Sequence, residues 1–344
     1  MKILKNYDLT KLNTFGISVR AKFFVEIKQE LDLKELFLLR EFKENKKLFL
    51  GGGSNILFIK DFDGLVVLNK LQGIEILKEE TESILIKSMS GEIWHDLVSF
   101  AVDHGYWGIE NLSLIPGTVG AAPVQNIGAY GAELGNVLES VEAYQISNGA
   151  KRVFSKSECE FGYRDSIFKN KLKGKYFISA ITLKLGKIER KNISYKVLKE
   201  YLRKNEIEIK NSKNVSDAVA EIRRSKLPDP ALIPNAGSFF KNIFIEKEKM
   251  QALLEIYPKM SYFEEEMAVK ISSAWLIEQS GPENGTSWKG YRVGNVGVHE
   301  HHALVLVNYG GGTGEEIKNL AEQITTSVFR KFGLKLVPEV NIVL

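Results

Sequence analysis

The chain contains a single cysteine, Cys159, among its 344 residues. One thiol cannot form an internal disulfide, and it has no partner at the spacing of a metal-binding or redox pair. The sequence therefore predicts a protein of a reducing compartment, in which Cys159 is a half-buried residue without a chemical role.

Long apolar segments are also missing. No stretch reaches the eighteen or so apolar residues that a membrane span requires, and the segment Met1–Asp8 meets charged residues too early for the apolar core of a signal peptide. We therefore expect a cytoplasmic protein that does not contact the membrane.

Charge of one sign is not in excess. The 47 Lys and Arg residues against 43 Asp and Glu residues give a net charge of +4 that is spread along the chain. No basic tail and no aromatic–basic RNA motif is present, so nucleic-acid binding is not expected. With 44% hydrophobic and 26% charged residues, the length suits a globular enzyme of two or three domains.

Glycine-rich segments are the most informative feature that is present. Residues 115–131 contain four Gly and two Pro, and Gly51–Gly53 lie between two apolar runs that predict a strand, a tight loop and a second strand. Glycine lets a ligand approach the main chain, so fixed N–H groups can surround an anion. Neither loop has the Gly-Lys-Ser/Thr ending of a P-loop or a Gly-x-Gly-x-x-Gly that opens a helix, which excludes a P-loop ATPase and a simple Rossmann protein. Two such loops predict a dinucleotide site.

Helix and strand signals divide the chain into three lobes. We expect a first lobe over residues 1–70, completed by about 334–344, a second lobe over 71–226, and a third over 227–333 that begins at Leu227–Pro230, where two prolines break the preceding helix. Asp32 and Glu35 predict a capping box that opens a helix to about Lys46. A second capping box at Thr313–Glu316 opens the last helix, which is expected to end at Gly333.

Seven segments, in this order, resemble the UDP-N-acetylenolpyruvoylglucosamine reductase family over nearly the whole chain. They are Asn13–Gly16, Gly51–Asn55, Pro116–Gly131, Gly162–Ser166, Lys226–Pro230, Asn235–Asn242 and Pro338–Val340. The resemblance implies an α+β fold, with a two-lobed FAD-binding domain of the vanillyl-alcohol-oxidase (PCMH) type and a C-terminal α/β substrate-binding domain.

The resemblance also implies the cofactors. FAD would bind non-covalently with its diphosphate on both glycine loops, and NADPH would be the hydride donor; His95 and His104 are expected to be structural residues and not sites of flavin attachment. The expected cofactor-binding residues are Gly51, Gly52, Gly53, Ser54, Asn55, Pro116, Gly117, Thr118, Gly120, Ala121, Gln125, Asn126, Gly128, Ala129, Tyr130 and Gly131.

Three catalytic residues follow from the resemblance to a flavoenzyme of peptidoglycan precursor synthesis that reduces an enolpyruvyl UDP-sugar. Arg164 would hold the substrate carboxylate, Ser238 would protonate the carbanion formed by hydride transfer from flavin N5 to the vinyl carbon, and Glu339 would stabilise the enolate or relay the proton. Without the resemblance, the more common interpretations are a surface ion-pair residue for Arg164, a turn or cap residue for Ser238, and an exposed edge-strand carboxylate for Glu339.

Four further residues are expected to bind substrate. Tyr195 matches a Tyr-bearing loop found in one branch of the family, and Lys226 and Asn242 match positions that contact phosphates or carboxylate. His302 stands in His299–His302, where some relatives carry Gln. Without the resemblance, Tyr195 could simply pack against its neighbours, and Lys226 could be a solvated residue at a helix end. We expect no metal at the histidines, because the nearby carboxylates lack a ligand pattern.

Two other functions fit part of the pattern. A FAD-dependent oxidase of the same flavin-binding fold would pass electrons from reduced flavin to oxygen, and a non-catalytic nucleotide- or RNA-binding module would carry no flavin. The reductase-like segments favour the reductase over both of these functions, and a monomeric protein is the expected state.

Overall fold

The computed structural model describes residues 1–265, 267–283 and 286–344. The strands are β1 Leu4–Asp8, β2 Arg20–Ile27, β3 Lys46–Leu50, β4 Ile56–Phe58, β5 Phe62–Asn69, β6 Ile74–Glu79, β7 Ser83–Met89, β8 Gly128–Ala129, β9 Ala132–Glu133, β10 Leu138–Gln145, β11 Lys151–Ser155, β12 Tyr176–Gly186, β13 Asn235–Ser238, β14 Ile243–Ile245, β15 Tyr262–Glu264, β16 Val269–Ile271, β17 Arg292–Val293, β18 Val296–Val298, β19 Val305–Asn308 and β20 Asn341–Val343. The α-helices are α1 Glu30–Leu38, α2 Arg40–Glu44, α3 Trp94–Asp103, α4 Lys196–Lys204, α5 Ser212–Lys226, α6 Lys247–Ile256, α7 Ser273–Gln279 and α8 Gly314–Phe332.

Two compact units make up the chain. Unit 1 comprises residues 1–7, 21–52 and 63–225, and unit 2 comprises residues 8–20, 53–62 and 226–344. The three lobes expected from the sequence were defined by which ligand each would bind, whereas the two units are defined by compact packing. The three-lobe division therefore stays a prediction.

Unit 1 is built largely on two sheets. The first has the strand order β1-β2-β5-β3, in which β3 and β5 are parallel, and the second is a five-stranded sheet, β11-β10-β12-β7-β6, with antiparallel pairing. Helix α3 supplies Trp94, Leu97, Val98 and Ala101 to a core shared with strands β7, β10 and β12. The indole N–H of Trp94 donates to the carbonyl of Leu112 at 2.9 Å, which attaches the helix to the loop that follows it.

Unit 2 contains the sheets β13-β19-β18-β17 and β14-β16-β15 and the parallel pair β20-β4. Helix α8 packs on β18, β19 and α7 through buried residues that include Ile317, Leu320 and Ile324. Its capping box at Thr313 and Glu316 and its end at Gly333, where φ is +64°, confirm the sequence prediction.

Two local predictions were wrong. Gln29, not Asp32, is the N-cap of α1, since Asp32 accepts a hydrogen bond from the N–H of Gln29 at 3.1 Å. The helix ends before Lys46, because Leu39 has an extended ψ of 140°, and a second helix, α2, follows it. Cys159 is fully buried instead of half-buried. Within residues 115–131, Val119–Val124 form a 3₁₀-helix.

No helix within the described residues is both long and apolar enough to cross a membrane.

Candidate active site

The two glycine loops meet inside unit 1. A Cβ added to Gly51 would collide with the hydroxyl oxygen of Thr118, and one added to Gly52 would lie 3.1 Å from the Cα of Gly117. Both contacts are tighter than a Cβ normally makes, so glycine suits these two positions. The loops therefore form one continuous cradle of main chain, which suits the diphosphate of FAD.

The long loop is held against the start of α3. The N–H of Val119 donates to the carbonyl of Glu92 at 2.9 Å, and the N–H of Gly120 donates to the carbonyl of Ser90 at 2.8 Å. A Cβ on Gly120 would lie 2.6 Å from the Cβ of Ser90. The 3₁₀-helix thus has a fixed position, as a preorganised binding loop needs.

Asn126 is a structural member of the loop. It is buried with a φ of +43°, and its side-chain amide donates to Glu133 at 2.8 Å and to the carbonyl of Gly162 at 3.1 Å, while its Oδ1 accepts from the N–H of Gly135 at 2.9 Å. These bonds occupy both ends of the side chain, so any contact of Asn126 with FAD would use its main chain.

A tight hairpin turn ends the loop. Tyr130 and Gly131 connect β8 and β9 with φ values of +47° and +82°, a conformation that glycine adopts freely and tyrosine rarely. Asn111 donates to the carbonyl of Tyr130 at 2.8 Å and to the carbonyl of Asn192 at 2.7 Å, and Asn192 donates to the carbonyl of Gly131 at 3.0 Å. The two asparagines therefore hold an unfavourable turn in place.

Arg164 lies beside this hairpin and is not an isolated surface residue. Its guanidinium donates to the carbonyl of Gly128 and lies 5.3 Å from the ring of Tyr163. Its own φ is +51°, at the tip of a turn in which Gly162 and Asp165 exchange main-chain hydrogen bonds of 3.1 and 3.2 Å. A residue held at an unfavourable backbone conformation is typical of a functional site.

Tyr195 also reaches the hairpin. Its ring contacts the ring of Tyr130 edge to face, with 5.6 Å between centroids, and about a third of the residue remains exposed. Burial raises the pKa of Tyr130.

Sequence reasoning missed Arg223, on the last turns of α5. Its Nε is buried and has no hydrogen-bond partner among the described residues, and the Oδ1 of Asn111 is in the same condition. Burial lowers the pKa of Arg223, and the nearby Arg164 lowers it further. Arg223 faces Tyr130 and Arg164, so unit 1 contains two neighbouring guanidinium groups. No sequence motif signals this, because the residue lies within an ordinary amphipathic helix.

In unit 2, Ser238 ends β13 opposite Val305 of β19. Gly237, at a φ of +69°, donates its N–H to the Oδ1 of the buried Asn235 at 2.8 Å, and the amide of Asn235 donates to the carbonyl of Ile233 at 2.8 Å. The turn before Ser238 is thus fixed by a buried side chain, and Ser238 itself is only partly buried.

Glu339 lies next to Ser238 through the main chain. Its N–H donates to the carbonyl of Phe239 at 2.7 Å, and Phe240 forms a bridge with Pro338. The amide of Asn55 is 3.4 Å from the carbonyl oxygen of Glu339, within the same unit. Unit 2 therefore brings together two of the three expected catalytic residues.

The last three residues of the Gly51–Asn55 segment belong to unit 2, whereas Gly51 and Gly52 belong to unit 1. Gly53 has a φ of +63°, and a Cβ there would collide with the carbonyl oxygen of Leu12. The lack of space for a side chain is by itself enough to require glycine at this position.

The next two expected residues lie near helix ends, Asn242 at the start of α7 and Lys226 at the end of α5. The Oδ1 of Asn242 accepts the N–H of Ser273 at 3.1 Å, at the start of α7, and the hydroxyl of Ser273 donates to the carbonyl of Lys241 at 2.6 Å. Lys226 is the exposed last residue of α5.

The three histidines follow β18 in an ordered turn. The N–H of His301 donates to Nδ1 of His299 at 3.3 Å, and the N–H of Leu304 donates to Nδ1 of His302 at 3.3 Å. Burial lowers the pKa of His302 to about 4. Within the ranges that the structure describes, no group of three or more histidine, cysteine or carboxylate side chains could hold a metal ion.

Unit 2 also carries a depression of about 1090 Å³ between the end of α7 and α8. Glu278, Trp288 and Arg330 are among its lining residues, and none of the expected site residues is.

The chain is similar to known proteins over both of its units. Residues 21–152 match the model of an FAD binding domain, and residues 229–343 match the C-terminal domain of UDP-N-acetylenolpyruvoylglucosamine reductase. A curated reductase of that name from Amoebophilus asiaticus is 48% identical, and the match covers 100% of this chain and of the relative. Another from Pseudomonas aeruginosa is 40% identical, and the match covers 99% of each chain.

A solved structure shares the fold. The crystal structure of UDP-N-acetylenolpyruvylglucosamine reductase from Thermus caldophilus matches with a TM-score of 0.67 at 23% identity, covering 100% of this chain and 98% of that one. The predicted α+β fold with an FAD-binding domain and the predicted cofactor FAD are confirmed. The chain belongs to the UDP-N-acetylenolpyruvoylglucosamine reductase family.

Proposed function

We propose that this chain catalyses the NADPH-dependent, FAD-mediated reduction of UDP-N-acetylglucosamine enolpyruvate to UDP-N-acetylmuramate, a step of peptidoglycan precursor synthesis. The family and the full-length identity of 48% to a curated reductase support this reaction class. The observation that carries the proposal is the main-chain bond between Glu339 and Phe239, because it joins the segment of Glu339 to the residue that follows Ser238.

Bound FAD would supply the chemistry of hydride transfer, accepting a hydride from NADPH and delivering it from N5 to the vinyl carbon of the substrate. Ser238 would then donate its proton to the α-carbon of the substrate, and Glu339 would stabilise the enolate or help to return a proton to the serine. Ser238 is only partly buried, as a residue that donates a proton to a substrate must be.

Arg164 would bind the substrate carboxylate. The planar guanidinium matches a carboxylate in two parallel hydrogen bonds and keeps its charge throughout the cycle. Its bond to the carbonyl of Gly128 orients the guanidinium.

The remaining candidates would hold the sugar nucleotide. Lys226 would contribute a positive charge to phosphate or carboxylate, and Asn242 and His302 would contribute hydrogen bonds. Tyr195 would close on the uridine nucleotide, an assignment supported by its exposure and by its ring contact with Tyr130.

FAD would bind without a covalent bond. Nδ1 of His95 accepts a hydrogen bond from the N–H of Leu114 at 3.2 Å, and burial raises the pKa of the Cys159 thiol to about 12, so that it carries no thiolate at neutral pH. Acid or heat should therefore release intact FAD from the yellow protein. Flavin that stays with the denatured chain would contradict this.

The working form would be a cytoplasmic monomer. The single cysteine suits a reducing compartment. Light scattering of the FAD-loaded protein at several concentrations should give the mass of one chain, and a mass of two chains would contradict the monomer.

Two anaerobic half-reactions test the function. NADPH should bleach the flavin, and the enolpyruvyl sugar nucleotide should restore its colour, with UDP-N-acetylmuramate as product. An oxidase would instead be reoxidised rapidly by oxygen and not by this substrate. A protein purified without flavin would favour the non-catalytic nucleotide- or RNA-binding module.

A further inference from the structure

Residues 187–204 of unit 1 carry a local excess of positive charge. The segment contains seven Lys and Arg residues and two Glu residues, an excess of five, whereas the whole chain has a net charge of +4. The rest of the chain is therefore close to neutral in sum. The basic character of the protein is concentrated in this segment.

Most of these cations have no acidic partner. Nζ of Lys187 lies 2.5 Å from a carboxylate oxygen of Glu79. Lys191 pairs with Glu189, two residues before it. Within the described part of the chain the other five cations form no ion pair, and all five are exposed: Arg190, Lys196, Lys199, Arg203 and Lys204. Their charge is therefore not neutralised by the protein.

Helix α4 places four of these five charges on one face. Counted from the first of them, they follow the i, i+3, i+7 and i+8 spacing of neighbours on a helix surface: Lys196, Lys199, Arg203 and Lys204. Glu200 is the one carboxylate among them. Leu198 and Leu202, on the other side of the helix, are buried in a core cluster. We refer to the exposed side as the basic face of α4.

Two of the lysines stand at the unfavourable end of this helix. The partial positive charge at a helix N-terminus favours acidic residues and disfavours lysine, yet the first turn of α4 contains Lys196 and Lys199 and no acidic residue. Arg203 and Lys204 lie in the last turn, where a cation is favourable. Helix stability therefore accounts for the second pair and not for the first.

The same end of α4 lies at the hairpin of Tyr130. Tyr195 is the N-cap of the helix, and its ring contacts that of Tyr130 with 5.6 Å between centroids. Asn192 donates to the turn of the hairpin at 3.0 Å, and Arg164 donates to a carbonyl of β8 in the same hairpin. The first turn of α4 thus borders the part of unit 1 in which the substrate carboxylate would bind.

We propose that the basic face of α4, led by Lys196 and Lys199, attracts the sugar nucleotide before it binds and so raises its rate of association. This inference rests on the proposed function, which supplies a ligand with a diphosphate and a carboxylate. Positive charges beside a site raise the association rate of an anion, and salt removes the effect by screening. The two lysines act on the encounter and not on the bound complex.

Stopped-flow binding to the oxidised, FAD-loaded protein tests the proposal. Oxidised flavin has no hydride to transfer, so the enolpyruvyl sugar nucleotide binds without reaction, and flavin absorbance follows its binding. At roughly 10 mM ionic strength, where the Debye length is about 30 Å, the association rate constant of Lys196→Gln/Lys199→Gln should be about 3- to 10-fold below that of wild type. At roughly 1 M, where it is about 3 Å, the two proteins should associate at the same rate. The dissociation rate constant should not change.

Matched variants separate charge from other effects. Lys196→Arg/Lys199→Arg keeps the charge and should associate as fast as wild type, whereas Lys196→Glu/Lys199→Glu should be slower than the Gln variant. Lys34 and Lys43 are exposed on α1 and α2, which pack on a core cluster that does not include Tyr130. The control Lys34→Gln/Lys43→Gln changes the net charge by the same amount and should associate at the wild-type rate.

Four results would overturn the proposal. They are a Gln variant that associates at the wild-type rate at low ionic strength, a loss that persists at high ionic strength, a faster dissociation with unchanged association, and an equal loss in the control Lys34→Gln/Lys43→Gln. If wild-type protein binds the sugar nucleotide but does not reduce it in the anaerobic assay, the proposed reaction fails while the association rates still decide the role of Lys196 and Lys199. Wild-type protein that does not bind the nucleotide would overturn both proposals.

Discussion

The main-chain N–H of Glu339 donates to the carbonyl of Phe239 at 2.7 Å, although the two residues lie far apart in the sequence. The bond seats the terminal segment next to the strand that ends at Ser238, while β20 pairs in parallel with β4 close to Asn55. The main chains that carry Ser238 and Glu339 are therefore held by main-chain pairing, which does not depend on the identity of either side chain.

Arg164→Lys should not restore the function that Arg164→Ala loses. Lysine keeps the charge but loses the two-pronged geometry that would hold the substrate carboxylate while negative charge grows on it. Reoxidation of reduced flavin at saturating substrate should slow by at least tenfold, about 1.4 kcal/mol, with NADPH reduction nearly unchanged. A Lys variant within about threefold of wild type in a stopped-flow trace would identify Arg164 as a structural residue.

Gly51→Ala should weaken FAD binding and lower the Tm of the flavin-free protein. The added methyl group would collide with the hydroxyl of Thr118, so the two loops would have to separate. Overpacking of this kind costs typically about 1–3 kcal/mol. Thermal unfolding of both variants checks the cause: the double variant Gly51→Ala/Thr118→Ala removes the colliding atom and should recover part of the Tm. No recovery would show that the collision is not the reason.

Much of the fold was predictable from local patterns. The box at Thr313 and Glu316 and the glycine at position 333 bound α8 because capping depends on residues within one turn. The break at Leu39 was not predictable, because nothing in the adjacent sequence forbids a continuous helix there.

The site was predictable in part, for the same physical reason. Composition alone predicts the glycine loop at residues 51 and 52 and the long loop, and the structure places the two loops in contact. Asn111 and Arg223 gave no signal, because each acts through neighbours that are distant in sequence. The predicted roles of Arg164, Ser238 and Glu339 depend on the family resemblance and stay predictions.

Asn111→Ala should destabilise the hairpin at Tyr130. The change removes two partly buried hydrogen bonds and takes this donor from the carbonyls of Tyr130 and Asn192. A hydrogen bond contributes about 0.5–1.5 kcal/mol net, and more where a group is left unsatisfied, so we expect a loss of roughly 1–3 kcal/mol in the free energy of unfolding. Chemical denaturation measures it. The exposed Asn205, which donates to the carbonyl of Tyr201, offers the control Asn205→Ala, with an expected change of about 1 kcal/mol or less. Equal effects of the two variants would contradict the assignment.

Glu110→Gln should stabilise the protein more as the pH rises. Glu110 is 1% exposed, and burial raises the pKa of its carboxyl group, although the N–H of Gly108 donates to it at 2.5 Å. A raised pKa in the folded state gives stability that is complete below the unfolded value of about 4.3 and is lost as the pH rises through the folded value. Glutamine keeps the acceptor and cannot ionise.

The comparison of Tm between pH 4 and pH 8 decides this point. The advantage of Glu110→Gln over wild type should be small at pH 4 and larger at pH 8, whereas Glu139→Gln, at an exposed position, should show no such trend. An advantage that shrinks with rising pH would mean that ionised Glu110 stabilises the fold.

The central claim is that Ser238 donates the proton that completes substrate reduction, and the most direct measurement is a pair of anaerobic stopped-flow traces on wild type and Ser238→Ala. Reduction of the flavin by NADPH should proceed at the same rate in both proteins, because it does not use the serine hydroxyl. Reoxidation by the enolpyruvyl sugar nucleotide should slow by ~10²-fold or more in the variant, the usual effect of removing a positioned acid. Reoxidation at the wild-type rate, or equal slowing of both half-reactions, would contradict the account.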